Sequence, residues 1–400
     1  MKNKNKKPEL MSPIKTRAGL KAATPFADAV YFGVSDLNLR AGSKGIGTEE
    51  LVGFVKECHR EEVKAYLTVN SILYDSDLNN AETLIRKAKE AEVDAVIVWD
   101  PAAIEIARDV GVDFFISTQA SVSNSKAVDF YERSGAKRVI LARELSLRQI
   151  KEIRKKTSLE LEIFIHGAMC LAISGRCTLS GFFENSSANR GACNQLCRRR
   201  WKIADSSGNE IETDGRYYLS PKDICMVEHI PELIEAGVDS FKIEGRQRNP
   251  RYVRVVTEIY RKAIDDYFSG SFSKEKAKKW KDDLSEVYNR EFSTGFYFGI
   301  PGPEGISFDS SGSAATVKRV LTGKVVHYYP EPEVAVLKLQ SGLSRGDRFV
   351  IEGETTFLEG QVESMEIEGK KIERAKKGEE IGLKVSGRAR EGDNFFILLE

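Results

Sequence analysis

Over the first 245 positions apolar residues fall in short runs separated by stretches with helical spacing. Runs at 9–13 (ELMSP), 28–34 (DAVYFGV), 64–70 (KAYLTVN) and 94–100 (DAVIVWD) read as strands. So do 113–119 (DFFISTQ), 138–144 (RVILARE), 161–167 (LEIFIHG) and 240–246 (SFKIEGR). Several follow one device, a helix end closed by a small or flexible residue and then an apolar strand, as in RSGAKRVIL and EAGVDSFKI. Continuous apolar strands alternating with helices signify parallel βα units buried on both faces. Eight of them close a TIM-like (β/α)8 barrel. An open doubly wound sheet is the alternative, but the first strand lacks a G-x-G-x-x-G turn.

Active sites of such barrels lie at the C-terminal ends of the strands. Polar residues gather at those ends: Ser12, Asn70, Asp100, Gln119, Arg143, His166, Glu244 and Arg246. Glu244 and Arg246 share a face because alternate residues of a strand point the same way. After the seventh strand about 50 residues intervene before the next expected helix, placed at SPKDICMVEHIPELIEAG with Ser220 as N-cap and Pro221 at the first helical position. A long amphipathic helix, NPRYVRVVTEIYRKAIDDYF, follows the eighth strand. The barrel domain with its 167–220 insert is thus expected over 1–270, and a helical or irregular linker over 271–313. Short alternating strands with glycine turns then predict a small C-terminal β-barrel or sandwich over 314–400.

Composition narrows the chemistry. The formal charge is +1, so global charge demands neither a nucleic acid nor a membrane. Basic residues cluster at Lys2, Lys4, Lys6 and Lys7, and again at Arg198, Arg199, Arg200 and Lys202. No apolar segment follows the basic N-terminus and none approaches membrane-spanning length, so a cytoplasmic protein with reduced thiols is expected.

Cys170, Cys177, Cys193 and Cys197 crowd into the insert with the spacing C-x6-C-x15-C-x3-C. Structural zinc sites use two short-spaced pairs, and only Cys193 and Cys197 form one. An iron–sulfur cluster tolerates irregular spacing and is favoured; zinc, structural thiols and a Cys170–His166 nucleophile stay open. Cys58 reads as a helix-face residue and Cys225 as a helical reserve ligand. H-E-x-x-H and G-x-S-x-G are both missing. Arg143, Arg176, Arg246 and Arg248 could converge on a small di-acid, since guanidinium forks bind carboxylates bidentately.

HGAMCLAISGRCTLSGFF, NRGACNQLCR, LSPKDIC and KIEGRQRNPRYV resemble signature segments of the collagenase-like peptidase family U-32, as do PELMSP, ADAVYFG, LRAG and LTVN near the N-terminus. The resemblance spans nearly the whole chain; PELMSPIKTRAGLKAA departs from the usual PELLAPAGNLEKLKAA. It implies a 4Fe-4S cluster on Cys170, Cys177, Cys193 and Cys197. It also implies oxygen-independent hydroxylation of a tRNA wobble uridine, of a ribosomal RNA cytidine or in ubiquinone synthesis, with prephenate as oxygen donor in the tRNA branch. The C-terminal barrel and the C-x3-C ending place the chain nearer the RNA-modifying members. The expected site then comprises His166, Glu244 and Arg246 as catalytic residues. Asn70, Gln119, Arg143, Arg176 and Arg248 would bind substrate, and Arg198 and Arg199 the RNA phosphates; Phe182, Phe183 and Trp201 flank the cysteines and could stack on the base, with buried packing expected for two of the three. A peptidase is one alternative; another is a non-catalytic iron–sulfur subunit working with a second protein of the same family.

Overall fold

The computed structural model describes residues 6–34, 37–39, 45–211, 216–309 and 312–400. Lys2, Lys4 and most of the LRAG segment lie outside them. Eight parallel strands form the closed barrel: β1 (Glu9–Pro13), β2 (Ala29–Phe32), β3 (Lys64–Thr68), β4 (Ala95–Val98), β5 (Phe114–Ile116), β6 (Arg138–Ile140), β7 (Glu160–Gly167) and β8 (Ser240–Ile243). Closure comes from β8, which pairs with β1 at Glu9–Ser240 and with β7 at Glu162–Ser240. All eight strands predicted from the apolar runs are present.

The two-residue period of each strand divides its side chains between two cores. Met11, Ala29, Tyr31, Tyr66, Ala95, Ile97, Phe115, Ile140 and Phe164 fill the barrel interior. Their neighbours, such as Leu10, Val30, Leu67, Val96 and Phe241, pack outward beneath the helices. The alternation also decides Ser12: it lies between inward positions and bonds Thr257 of the outer helix at 2.8 Å instead of facing the mouth. That helix, Pro250–Ser269, begins where expected, with the Asn249 side chain accepting from Tyr252 N, and ends at Gly270 in the left-handed region.

The helix expected from Ser220 is absent. Asp223–Cys225 is instead a short strand antiparallel to β7, with Cys225 opposite His166, and the helix begins only at Ile230. β7 is eight residues long and overhangs its neighbours, so its last peptides offer backbone hydrogen bonds that the returning chain takes. Segment 271–313 packs on the barrel: Ala277, Trp280 and Leu284 of helix Lys274–Ser285 join the barrel's outer core, and Phe292–Ser293 pairs with Asp223–Cys225.

The C-terminal part contains an eight-stranded antiparallel sheet running from Lys318 to Leu399 around its own core, including Val325, Leu337, Phe349, Ile381 and Phe395. Arg251, buried on the barrel's last long helix, joins the two parts through Glu286 (2.7 Å) and Glu359 (3.2 Å).

Candidate active site at the barrel mouth

A cavity of about 120 Å³ opens at the C-terminal ends of the strands. Its floor is the top of the barrel interior, with Tyr31, Ile97, Ile140, Phe164 and Lys242; its walls carry Asn70, Gln119, Arg143, Glu244 and Arg246. The insert covers it, contributing Cys170, Cys177, Cys193, Cys197, Gln195 and Arg198. Thus all four cysteines and five of the polar strand-end residues meet in one place.

These strand-end side chains are held by one another. Asn70 donates to Ser117 (3.2 Å) and Gln119 (3.3 Å), and accepts from the Leu39 amide at 3.3 Å. Arg246 is buried and donates to Thr68 at 2.8 Å. Arg143 donates to the Ala168 carbonyl at 2.6 Å, stacks on Phe164 at 3.8 Å and stands 3.7 Å from Glu244. Its Nε is buried with no acceptor among the described residues.

The insert is pinned over this cavity. Arg190 forms a bidentate pair with Asp77 (2.6 and 3.1 Å), and the Asn189 carbonyl accepts from the Ile72 amide. The guanidinium holds the Asp77 carboxyl down at about 2. That contribution to stability is therefore present above the carboxylate's unfolded pKa and is lost as pH falls through about 2. Gly175, at φ +72°, lies so close to the barrel that a Cβ there would meet Leu39 Cδ1 at 2.5 Å and Gln119 Cγ at 3.0 Å. Replacing Arg190 with Ala is expected to free the insert without unfolding the barrel. Limited proteolysis should then cut within 167–220 well before any other segment, and cleavage at the wild-type rate would contradict this anchoring role.

The six cysteines are free thiols. Burial raises the Cys197 pKa; Arg198 opposes the rise, and Cys170, Cys193 and Cys177 reinforce it, so the other three sulfurs lie within electrostatic reach of Cys197. Among the described residues no three His, Cys, Asp or Glu side chains close around a point as one metal ion would require. The donor set at this wall is all sulfur, the soft type that suits thiophilic metals and clusters.

His166 is not in the cavity. Alternation from Glu162 and Phe164 would turn it inward, but the β7–β8 register slips between Lys242 and Ile243, and this bulge re-aims it outward. It is 1% exposed, 3.3 Å from the Tyr260 hydroxyl and packed near Tyr252 and Phe292, with Nε2 lacking a partner among the described residues. Burial lowers its pKa to about 3, so it is neutral at ordinary pH. Below its unfolded pKa the unfolded chain binds a proton that the fold refuses, and stability falls with pH across that window. A His166→Phe variant is expected to keep its activity within about threefold, because that ring reaches no cavity atom; a loss of activity with the fold intact would restore His166 to the reaction.

Three arginines also serve elsewhere. Arg176 stacks on Trp99 at 4.6 Å and Arg248 on Tyr288 at 3.4 Å, while Arg199 pairs with Glu184 at 2.5 Å. Arg198 lines the cavity but donates to the Met169 and Pro221 carbonyls and to Ser220 (2.9 Å), tying the two ends of the insert together. Asp100 caps helix Pro101–Val110. Cys225 lies behind the barrel wall at 3.8 Å from Tyr260, not as a fifth ligand. Phe182 and Phe183 are 85% and 62% exposed, and Phe183 lies 5.3 Å from the Trp201 ring.

Among the charged residues that line the cavity, two were not singled out from the sequence. The alternation that joins Glu244 to Arg246 also puts Lys242 on that face, a signal that was there to be read. Arg290 comes from the segment expected to be a linker and donates to Gln195 at 2.9 Å; nothing local announces it.

Known proteins are similar to this chain over most of its length. It is 45% identical over 403 residues to "Uncharacterized protease MJ0090" of Methanocaldococcus jannaschii, covering 98% of each chain. It is 39% identical over 404 residues to a "Collagenase" of Porphyromonas gingivalis, covering 97% of each. The "tRNA hydroxylation protein P1" of Bacillus subtilis is 37% identical over 350 residues, covering 86% of this chain and 82% of that one. Residues 16–307, which hold seven of the eight barrel strands and the cysteine-bearing insert, match peptidase family U32, and the chain belongs to that family.

Proposed function

We propose that this enzyme is an iron–sulfur-dependent hydroxylase of an RNA base, with the wobble uridine of a tRNA as target and prephenate as oxygen donor. The observation that carries the proposal is the meeting of four thiols with basic strand-end side chains in one barrel-mouth cavity. The tRNA hydroxylation relative supports the choice of substrate.

Cys170, Cys177, Cys193 and Cys197 would hold a 4Fe-4S cluster. Such a cluster takes its ligands around its own bulk and calls for sulfurs that share one wall, as these four do. When bound it supplies one-electron redox chemistry next to the cavity. The protein's own residues do the rest. Arg198 favours the Cys197 thiolate. Arg143 and Arg246, both mostly buried, present guanidinium groups to an anionic co-substrate where water cannot screen them. At the rim, Phe182 and Phe183 offer apolar faces on which an unstacked anticodon-loop base can rest.

The collagenase-named relative favours a second reading, a peptidase. Its simplest machinery would join Cys170 to His166, but the bulge in β7 turns that histidine to the far side of the wall. Nucleoside mass spectrometry of RNA from cells lacking this protein tests the choice. A missing hydroxylated nucleoside, restored by the wild-type chain, is expected; unchanged RNA together with gelatin cleavage by a colourless purified protein would overturn it.

A further inference from the structure

Lys242 is the most unusual residue of the barrel. It is 3% exposed in the centre of β8, yet it lines the cavity. Its ammonium donates to Glu162 Oε1 at 3.0 Å and to Met11 Sδ at 3.2 Å, and lies 4.1 Å from the centre of the Tyr31 ring. A thioether is a weak acceptor, and the third ammonium hydrogen has none among the described residues. Glu162 is itself shared, accepting from Arg138 at 3.0 Å; Arg138 in turn holds Glu9 at 2.6 Å, and Glu9 meets Lys64 at 3.1 Å on the opposite, solvated end of the barrel. A ladder of alternating charges thus runs through the barrel and presents a cation at the cavity floor. A buried ammonium whose neighbours are one divided carboxylate, one sulfur and the rings of Tyr31 and Phe164 is short of oxygen acceptors, and an oxygen anion arriving from the cavity would complete its shell.

We propose that Lys242 is a substrate-binding residue, whose ammonium takes one carboxylate of a small dicarboxylate while Arg143 or Arg246 takes the other nearer the mouth. The inference deepens the hydroxylase reading and rests on it for the identity of the site. The anion is a small acid and not an RNA phosphate, because the ammonium lies at the bottom of a cavity roofed by the insert, out of reach of a polynucleotide backbone. Two carboxylates match the arrangement because the under-satisfied cations lie at two depths: Lys242 at the floor, and Arg143, whose buried Nε also has no acceptor, at the wall. Glu244 is the only acidic side chain lining the cavity among the described residues, against Arg143, Arg198, Lys242, Arg246 and Arg290. Burial lowers the Lys242 pKa and Glu162 opposes it; a bound carboxylate acts in the same direction as Glu162 and stabilises the ammonium.

Calorimetric titration of the full chain, purified without oxygen, tests this with prephenate, which has two carboxylates, and phenylpyruvate, which has one. The wild type is expected to bind prephenate at least about tenfold more tightly. Lys242→Met should weaken prephenate about 10- to 100-fold, affect phenylpyruvate much less and erase the preference. Because that change leaves Glu162 short of a cation, Lys242→Met/Glu162→Gln removes both charges together and should give the same binding result in a chain whose circular dichroism is native. A wild type that binds both acids equally or neither, or a folded double variant that keeps the preference, overturns the proposal. Lys242-dependent binding without any RNA hydroxylation would leave this inference standing and remove the hydroxylase reading instead.

Discussion

Purified without oxygen, the wild type is expected to be brown, with broad visible absorbance and bound iron, and Cys193→Ala is expected to be colourless, to lack iron and to leave RNA unmodified. The thiol is half-buried on the cavity wall in an insert held by Arg190 and Arg198 rather than by sulfur, so the variant should fold. The thiolate is the ligand, and a methyl group cannot replace it. The control is Cys225→Ala. That cysteine is buried behind the barrel wall, where burial raises its thiol to about 11, and its loss should leave colour and iron intact. Equal loss of iron in both variants, or iron retained in Cys193→Ala, would sink the assignment of ligands. So would a wild type that contains no iron.

Replacing Arg138 with Met is expected to destabilise the barrel by about 3–5 kcal/mol, read as a shifted denaturation midpoint. The guanidinium is 4% exposed and pairs with Glu9 at 2.6 Å, Glu160 at 2.8 Å and Glu162 at 3.0 Å, over the Phe115 ring at 4.4 Å. Methionine keeps much of the apolar volume but leaves the fully buried Glu162 with Lys242 alone among the described cations and takes from Glu9 its buried partner. The loss should depend on pH. Burial alone would raise the Glu9 pKa, yet the charge and hydrogen bond of Arg138 outweigh it and the net shift is downward from 4.5. In the wild type Glu9 therefore contributes stability above its unfolded pKa, and that contribution is lost as pH falls through the lowered folded value. In the variant only the raising influence of burial and the smaller help of Lys64 and Tyr66 remain, so protonation relieves it earlier. The gap between the two proteins should narrow as pH drops below about 4.5. A gap that is constant, or widens, would show that the ladder is not held by charge.

Much of the fold was legible because the signals are local. In β4 and β5 apolar runs follow helix-ending turns, and Asn249-Pro250 announces the helix that closes the barrel. Strand-end positions then located Asn70, Gln119, Arg143, Glu244 and Arg246, since in this architecture they must face the mouth. The same argument failed for Ser12, Asp100 and His166. Facing the mouth also requires the right parity along the strand, a free side chain and an unbroken register. Ser12 has the wrong parity, Asp100 is spent on a helix cap, and the bulge in β7 reverses His166. Ser220-Pro221 looked like a helix start because N-cap chemistry is local, whereas the strand that formed answers an overhang of β7 more than 50 residues upstream in the chain.

By itself, then, the amino-acid order determined the eight-stranded barrel, the clustering of four cysteines in one insert and the separate antiparallel C-terminal sheet. Each depends on side-chain period, turn chemistry or spacing within a few dozen residues. Only the tertiary structure decided that Lys242 and Arg290 belong to the cavity, that Arg198 ties the insert while Arg176 and Arg248 stack on aromatic rings, and that His166 looks away. Those outcomes depend on which distant segments meet and on one register slip between β7 and β8, and long-range pairing leaves no periodic trace in the chain.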